Sequence, residues 1–216
     1  MAHRGFFIQP DKKVKPCCVF KEFDEPLYYD ETKSFDELFN SPQFQDLRQK
    51  LSDGVKYDGC SDCWGGRSSH REGMNRMYSA PTFEFTPSLT EKDIFYLDLR
   101  ISNLCNFSCR SCGPVFSSNW YKEHVKMFGR KPEVDGRELS VVEYAGCNKY
   151  DIWEQMQPHI PYLDQVYFAG GEPLIMEEHY MLLEKLIEIG KTDINLQYNT
   201  NFSEMSYKGK DVIELW

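Results

Sequence analysis

The sequence lacks any apolar run close to the roughly 20 residues that a membrane-spanning helix needs. It also lacks a long basic run, and its net charge is −9. Because phosphate binding depends on clustered Lys and Arg side chains, this charge argues against a nucleic-acid partner. The N-terminal segment MAHRGFFIQPDKK becomes charged before an apolar stretch reaches signal-peptide length. We therefore expect a cytoplasmic protein whose partners are neither membranes nor nucleic acids.

Eight cysteines stand out in a chain of 216 residues, of which 41% are hydrophobic and 15% aromatic. That length and composition suffice to bury the core of one large domain or two small ones. Disulfides would suit a small secreted domain, but in a reducing compartment closely spaced cysteines more often bind metal. We therefore use the spacing of the cysteines to distinguish disulfides from metal binding.

The chain divides near residue 80, where the segment 77–93 carries two prolines and several Ser and Thr residues. This composition is typical of an interdomain linker, and we predict domains at residues 1–80 and 81–216. In the first, the stretch FFIQPDKKVKPCCVF predicts a hairpin of two short strands. The first domain is therefore expected to be a small, cysteine-rich α+β unit.

A helix pair is predicted after this hairpin. Ser34 lies three residues before Glu37, which is the spacing of a capping box. Ser41 and Pro42 are suited to open the second helix, and Gly54 to end it. The loop YDGCSDCWGG then follows.

The second domain alternates strands and helices, which predicts an α/β fold with a parallel sheet. The predicted strands lie in DIFYLDLRIS, LDQVYFAGGEP and DINLQYNTNFS, and MEEHYMLLEKLIEIG predicts a helix between the last two. The segment 113–160 is predicted to be a long, partly helical connection. The sequence ends in KGKDVIELW, which resembles the opening of a further helix.

Three cysteines, Cys105, Cys109 and Cys112, occupy one short loop directly after the first of these strands. Four thiolates would close every iron of a [4Fe-4S] cluster to outside ligands, whereas three leave one iron open. A site that performs chemistry likewise keeps a coordination position for substrate. The loop therefore indicates a reactive cluster site, and the alternative is a fortuitous group of cysteines.

This C-x3-C-x2-C loop resembles the cluster motif of the radical S-adenosylmethionine (SAM) superfamily. The resemblance implies that Cys105, Cys109 and Cys112 bind a catalytic [4Fe-4S] cluster. It also implies that the open iron binds SAM, which is cleaved to a 5'-deoxyadenosyl radical that abstracts hydrogen from substrate. Ser111 departs from the pattern, because an aromatic or bulky residue usually precedes the last cysteine.

The segment FAGGEP at the end of the second predicted strand resembles the GGE motif of the same superfamily. The resemblance implies contacts with the amino group of SAM from Gly170, Gly171, Glu172 and Pro173. Asn199 and Asn201 end the third strand, where the superfamily often has polar residues facing the active site. For these two residues, cofactor contact and simple strand capping remain equally open.

The N-terminal cysteines Cys17, Cys18, Cys60 and Cys63 resemble those of the twitch domain, the shorter relative of the SPASM domain. That resemblance implies an auxiliary [4Fe-4S] cluster, although in many relatives the module follows the barrel. Because adjacent strand residues point to opposite faces, Cys17 and Cys18 can both ligate only if the strand has ended before them. A four-cysteine zinc site is the competing interpretation, since the C-x2-C half fits zinc equally well. We assign Cys147 no role.

The superfamily barrel usually has six strands, so the resemblance implies a partial (βα) barrel with about three of them. A partner chain or a C-terminal continuation would then complete the barrel. The implied partners are SAM, a reductant such as flavodoxin or ferredoxin, and a peptide or small-molecule substrate. The alternative function is a non-catalytic iron-sulfur or zinc protein that transfers electrons or binds a partner.

Overall fold

A computed structural model describes residues 2–64, 94–148 and 151–216 of the chain. The predicted linker at 77–93 lies outside these described residues. The N-terminal segment begins with a hairpin of β1 (Gly5–Ile8) and β2 (Val14–Lys15), which pair antiparallel as predicted. Three helices follow in this segment: α1 (Phe35–Phe39), α2 (Pro42–Ser52) and α3 (Ser61–Trp64).

The helix pair has the predicted ends. The Ser34 hydroxyl accepts a hydrogen bond from the Glu37 amide, and the Glu37 carboxylate accepts one from the Ser34 amide, so the capping box is complete. Helix α2 has Pro42 in its first turn. Gly54 follows its end with φ of +73°, a backbone conformation that glycine adopts without strain.

The second segment alternates strands and helices as predicted. Its central elements are β3 (Tyr96–Leu99), α4 (Trp120–Phe128), α5 (Asp151–Met156), β6 (Gln165–Phe168), α6 (Glu177–Glu188) and β7 (Asn195–Tyr198). The other strands and helices are β4 (Glu133–Val134), β5 (Arg137–Glu138), β8 (Ser206–Tyr207), β9 (Lys210–Asp211), α7 (Val212–Leu215) and the 3-10 helices Gln157–Tyr162 and Pro173–Ile175. Among the described residues, no helix has both the length and the apolar character needed to cross a membrane.

Five strands form one sheet in the order β2-β1-β3-β6-β7, and every neighbouring pair except β1 with β2 is parallel. This arrangement confirms the α/β class with a parallel sheet. It also adds a feature that the sequence did not predict, since β1 of the N-terminal segment pairs directly with β3. Closure of the sheet into a partial barrel stays a prediction.

One face of the sheet carries the hydrophobic core. The strand register aligns Phe6, Leu97 and Val166 across neighbouring strands, and Leu196 continues this row at the edge. Helices α1, α2, α5 and α6 pack on this face through Phe35, Leu38, Phe39, Phe44, Leu47, Ile152, Met156, Leu182 and Leu186. Each fully buried side chain of this size stabilises the fold by about 1.5–3 kcal/mol.

The opposite face of the sheet, which we call the second face, is partly polar. The register aligns Phe7, Asp98, Tyr167 and Gln197 across β1, β3, β6 and β7. Because side chains alternate along a strand, these residues point away from the hydrophobic core. Asp98 is 0% exposed on this face, so the fold has buried a carboxyl group at its centre.

A buried histidine lies on the core side of β7. His179 in α6 is 1% exposed and packs edge-on against Phe168 and Tyr180. Its Nε2 atom lies 3.0 Å from the Tyr198 hydroxyl. Burial lowers the pKa of His179 to about 4, because the charged ring would lose its hydration.

We predict that His179 makes the protein less stable in mild acid. The unfolded chain binds the proton near pH 6.5 and the folded chain only near pH 4, so stability falls as the pH drops through this window. Between pH 7 and pH 5 the loss amounts to about 2 kcal/mol. Urea unfolding at both pH values should show this loss reduced in His179→Gln and retained in His124→Gln. An equal loss in both variants would contradict the assignment.

Candidate functional site

The three-cysteine loop leaves the carboxyl end of β3 and is fastened by buried polar side chains. Asn103 is 0% exposed, and its side-chain amide donates to the carbonyl oxygen of Pro114 at 2.8 Å. Its side-chain oxygen accepts a hydrogen bond from the Glu143 amide at 2.8 Å. The Ser118 amide donates to the Asn103 carbonyl at 2.7 Å. The two ends of the loop are therefore held together.

The cysteine positions are fixed by hydrogen bonds to the backbone around them. The Cys105 amide donates to the Ser118 hydroxyl at 3.1 Å, and the Trp120 indole donates to the Cys109 carbonyl at 2.8 Å. The Cys112 amide donates to the Cys109 carbonyl at 3.0 Å, which closes a tight turn. Cys109 is exposed, whereas Cys105 and Cys112 are half-buried. The loop thus presents its thiols near the surface.

The electrostatics of Cys105 favour its neutral thiol while no cation is present. Burial raises the pKa of Cys105, and the negative charges of Glu172 and Cys109 act in the same direction. The Phe107 amide, which donates to the Cys105 sulfur at 3.4 Å, opposes the rise. Amides directed at sulfur are typical of the surroundings of thiolate-bound clusters.

The two glycines after β6 allow its backbone to approach the cysteine loop closely. Gly170 and Gly171 have φ of +70° and +61°. A Cβ atom on Gly171 would lie 2.4 Å from the Leu104 carbonyl oxygen and 2.7 Å from that of Ser102. The Glu172 amide donates to the Leu104 carbonyl at 2.8 Å. These contacts bring the predicted GGE segment against the start of the cysteine loop.

The Glu172 carboxylate joins the ends of β6 and β7. It is 1% exposed and accepts hydrogen bonds from the Leu174 amide at 3.0 Å, the Thr200 hydroxyl at 2.6 Å and the Asn201 amide at 2.7 Å. Pro173 opens the short 3-10 turn Pro173–Ile175 that follows. Glu172 therefore has partners in the fold itself, and a contact with SAM stays a prediction.

The two asparagines predicted at the end of β7 have different surroundings. The Asn201 side-chain amide donates to Asn106 at 2.8 Å, and that of Asn106 donates to Ser203 at 2.7 Å. Asn201 therefore connects β7 to the cysteine loop. Asn199 is exposed, and its side chain interacts with the Tyr167 hydroxyl on the second face.

The four N-terminal cysteines lie on two neighbouring segments, and Cys17 and Cys60 adjoin the same hydrophobic core. Burial raises the pKa of Cys60 to about 11, and the neighbouring Cys17 and Cys63 act in the same direction. Cys17, whose pKa is raised chiefly by burial, also interacts with Cys63. The Lys21 amide donates to the Gly59 carbonyl at 2.9 Å and so holds the two cysteine segments side by side.

Cys18 interacts with Cys17 and also with Asp98 of the second face. Burial raises the pKa of its thiol to about 12, and the adjacent Asp98 contributes to this rise. Asp98 belongs to the second face of the sheet, whereas Cys17 belongs to the hydrophobic core. Because β2 ends at Lys15, strand alternation does not hold the thiols of Cys17 and Cys18 apart.

No group of three or more His, Cys, Asp or Glu side chains in the described ranges is arranged to hold a metal ion. Metal binding at either cysteine site therefore requires the thiols to turn toward a common centre. The donors suit iron-sulfur chemistry, because each site offers several thiols from one or two short loops. Cys147 lies apart from both sites, with its sulfur 3.5 Å from the Lys12 ammonium.

Sequence reasoning missed the residues that fasten the three-cysteine loop. Asn103, Ser117, Ser118 and Thr200 make buried or half-buried hydrogen bonds around it. Their only signal in the sequence is a polar side chain next to a strand end or a cysteine. Such residues also occur in ordinary turns, so the pattern alone does not single them out.

Comparison with known proteins identifies the N-terminal segment. Residues 1–64 match the SPASM family, an iron-sulfur cluster-binding domain. No curated protein and no solved structure matches the chain. The match supports the prediction of an iron-sulfur-binding segment that contains Cys17, Cys18, Cys60 and Cys63. It covers less than a third of the chain and does not include the three-cysteine loop.

We predict that Gly171→Ala destabilises the protein more than Gly190→Ala. Both residues have positive φ, but a Cβ atom at Gly190 would meet nothing within 4 Å. The free energy of unfolding of the control Gly190→Ala should therefore fall by only about 1–2 kcal/mol, the cost of placing alanine in the left-handed backbone region. Gly171→Ala should lose about 1–3 kcal/mol more, because its Cβ overlaps backbone oxygens. Equal free energies of unfolding in denaturant titrations would contradict the close approach described here.

Proposed function

We propose that the protein is a radical SAM enzyme whose catalytic [4Fe-4S] cluster is held by Cys105, Cys109 and Cys112. The proposal rests on one observation. The three-thiol loop contacts the Gly171-Glu172 segment at the carboxyl ends of β3 and β6. When bound, the cluster supplies an electron that cleaves SAM to a 5'-deoxyadenosyl radical, which abstracts hydrogen from substrate. The SPASM match at residues 1–64 supports the proposal, because that domain accompanies radical SAM enzymes.

The residues around the loop would orient the cofactor. Gly170 and Gly171 let the backbone after β6 pass against Arg100 and the Leu104 carbonyl, which holds Glu172 beside the cysteine loop. Glu172 is kept rigid by its three donors and brings negative charge near Cys105. A rigid carboxylate next to the cluster would attract the SAM ammonium group. Asn199, exposed at the end of β7, is a further candidate for cofactor contact.

The surface next to the three-cysteine loop favours an acidic electron donor. Helix α4 begins beside Cys109, and Met127 and Phe128 on it are 58% and 61% exposed. Residues 106–131 contain five basic residues and one acidic residue, although the chain carries a net charge of −9. Opposite charge accelerates association between proteins. A reductant such as flavodoxin or ferredoxin would suit this surface if it is acidic.

The N-terminal cysteines would hold the auxiliary [4Fe-4S] cluster. Cys17, Cys60 and Cys63 interact with one another, and the SPASM match favours iron-sulfur over the zinc alternative. In the superfamily, auxiliary clusters often accompany oxidation of a peptide or protein side chain. We therefore propose a peptide substrate first and a small molecule second.

Anaerobic reconstitution tests this function. We expect about four irons per cluster and, after reduction, an electron paramagnetic resonance spectrum that shifts when SAM is added. The SAM-dependent signal should disappear in Cys112→Ala and persist in Cys147→Ala, because Cys147 lies apart from both sites. The free SAM concentration that gives half of the shift would measure cofactor affinity.

Other outcomes of this experiment decide between the functions. Zinc in place of iron at the three-cysteine loop would exclude the radical mechanism. An iron signal that does not respond to SAM would instead support a non-catalytic electron-transfer protein. The SPASM match alone is compatible with that second function, since it shows cluster binding and not SAM cleavage.

A further inference from the structure

Arg100 follows β3 directly, and its side chain lies on the second face of the sheet. Its Nε atom lies 3.4 Å from the Oδ1 atom of Asp98, and its guanidinium carbon lies 4.9 Å from the ring centroid of Phe7. Asp98 and Phe7 both belong to the second face. The Arg100 amide donates to the Ile8 carbonyl at 3.0 Å, which continues the parallel pairing of β1 with β3. The second face therefore ends in a cation immediately before the three-cysteine loop.

The Arg100 side chain is held on several sides by the segments of the candidate site. Its guanidinium carbon lies 5.3 Å from the ring centroid of Phe116, which follows Cys112 by four residues. A Cβ atom on Gly170 would lie 2.7 Å from the Arg100 Cβ and 3.1 Å from its Cγ, so the side chain packs directly on the glycine backbone. These contacts fix the plane and the position of the guanidinium.

One edge of this fixed guanidinium has no partner. Asp98 lies at the Nε atom, whereas within the described ranges the Nη1 and Nη2 atoms make no hydrogen bond. The Arg100 side chain is 18% exposed, so it is not sealed in the fold. A guanidinium binds a carboxylate through two parallel N–H donors. Arg100 therefore presents a pair of such donors beside the three-cysteine loop.

The neighbouring strands place further polar groups on the same face. The register sets Tyr167 of β6 opposite Asp98 and Gln197 of β7 opposite Tyr167. Asn199 continues this pairing, since its amide donates to the Phe168 carbonyl at 2.8 Å. A ligand that contacts Arg100 would thus meet hydroxyl and amide groups rather than an apolar wall.

We propose that Arg100 binds the carboxylate group of a ligand that lies on the second face beside the three-cysteine loop. Two sources supply this chemistry. One is the methionine carboxylate of SAM, and the other is a substrate with an acidic side chain or a C-terminal carboxylate. The inference deepens the proposed function and rests on it for the identity of the ligand. Because the guanidinium is already fixed by its neighbours, little conformational freedom is lost when the ligand binds.

The first measurement requires no cluster. The full-length chain is prepared with isotope-labelled arginine, and the Nε–H resonances are followed by NMR while N-acetylglycine is added at constant ionic strength. N-acetylglycinamide, which lacks the carboxylate, is the matched control ligand. We expect only N-acetylglycine to shift the Arg100 resonance, with saturation, and the resonance of the exposed Arg130 to stay in place. The Arg100→Lys spectrum identifies the Arg100 resonance by its absence.

The second measurement distinguishes the two sources of the carboxylate. The SAM concentration that gives half of the paramagnetic resonance shift is determined for reconstituted Arg100→Lys and for the control Arg137→Lys. Arg137 pairs with Glu143 at 2.9 Å. A rise of about tenfold or more in Arg100→Lys alone identifies the SAM carboxylate, because a hydrogen bond to a charged group contributes that much to binding. Unchanged values in both variants assign the carboxylate to the substrate.

The first measurement alone decides whether the site exists. An Arg100 resonance that does not respond to N-acetylglycine, or that responds equally to N-acetylglycinamide, would overturn the proposal. A chain that forms no cluster would contradict the proposed function and leave this result standing.

Folding is checked by the Tm of each variant. Arg100→Lys keeps a cation beside the buried Asp98, so we expect it to fold. If it does not, the double variant Asp98→Asn with Arg100→Gln replaces it in both measurements, because it removes both charges together.

Discussion

The buried carboxylate of Glu172 is the interaction on which the candidate site depends. Its three donors fix the ends of β6 and β7 relative to each other, and its own amide fixes the start of the cysteine loop through Leu104. Parallel pairing brings the carboxyl ends of β3, β6 and β7 to one edge of the sheet. The hydrogen bonds of Glu172 then set the distances between their loops, and Gly171 allows the closest of these approaches.

The two faces of the sheet separate packing from chemistry. Helices cover the apolar face and supply most of the hydrophobic core. The second face holds Asp98 and Tyr167, with Arg100 beside Asp98 and over the ring of Phe116 in the three-cysteine loop segment. Because β1 pairs with β3, the strands that precede Cys17 and the three-cysteine loop belong to one continuous sheet. This pairing gives the SPASM-type segment a defined place beside the proposed catalytic loop.

Local patterns in the sequence predicted the elements of this fold, but not the contacts between distant segments. The capping box at Ser34, the hairpin and the cysteine loop after β3 follow from short-range spacing and are confirmed. The parallel pairing of β1 with β3 joins residues about 90 positions apart, and nothing in either strand specifies its neighbour. The interaction of Cys18 with Asp98 likewise joins residues far apart in the sequence.

Cleavage of SAM is the most direct test of the central claim that the three-cysteine loop is a radical SAM centre. The reconstituted, dithionite-reduced protein is incubated with SAM, and 5'-deoxyadenosine is measured by chromatography. We predict that the product forms with the natural sequence and is absent from Cys112→Ala. If a fully loaded and reduced cluster at Cys105, Cys109 and Cys112 yields no 5'-deoxyadenosine, the account is contradicted.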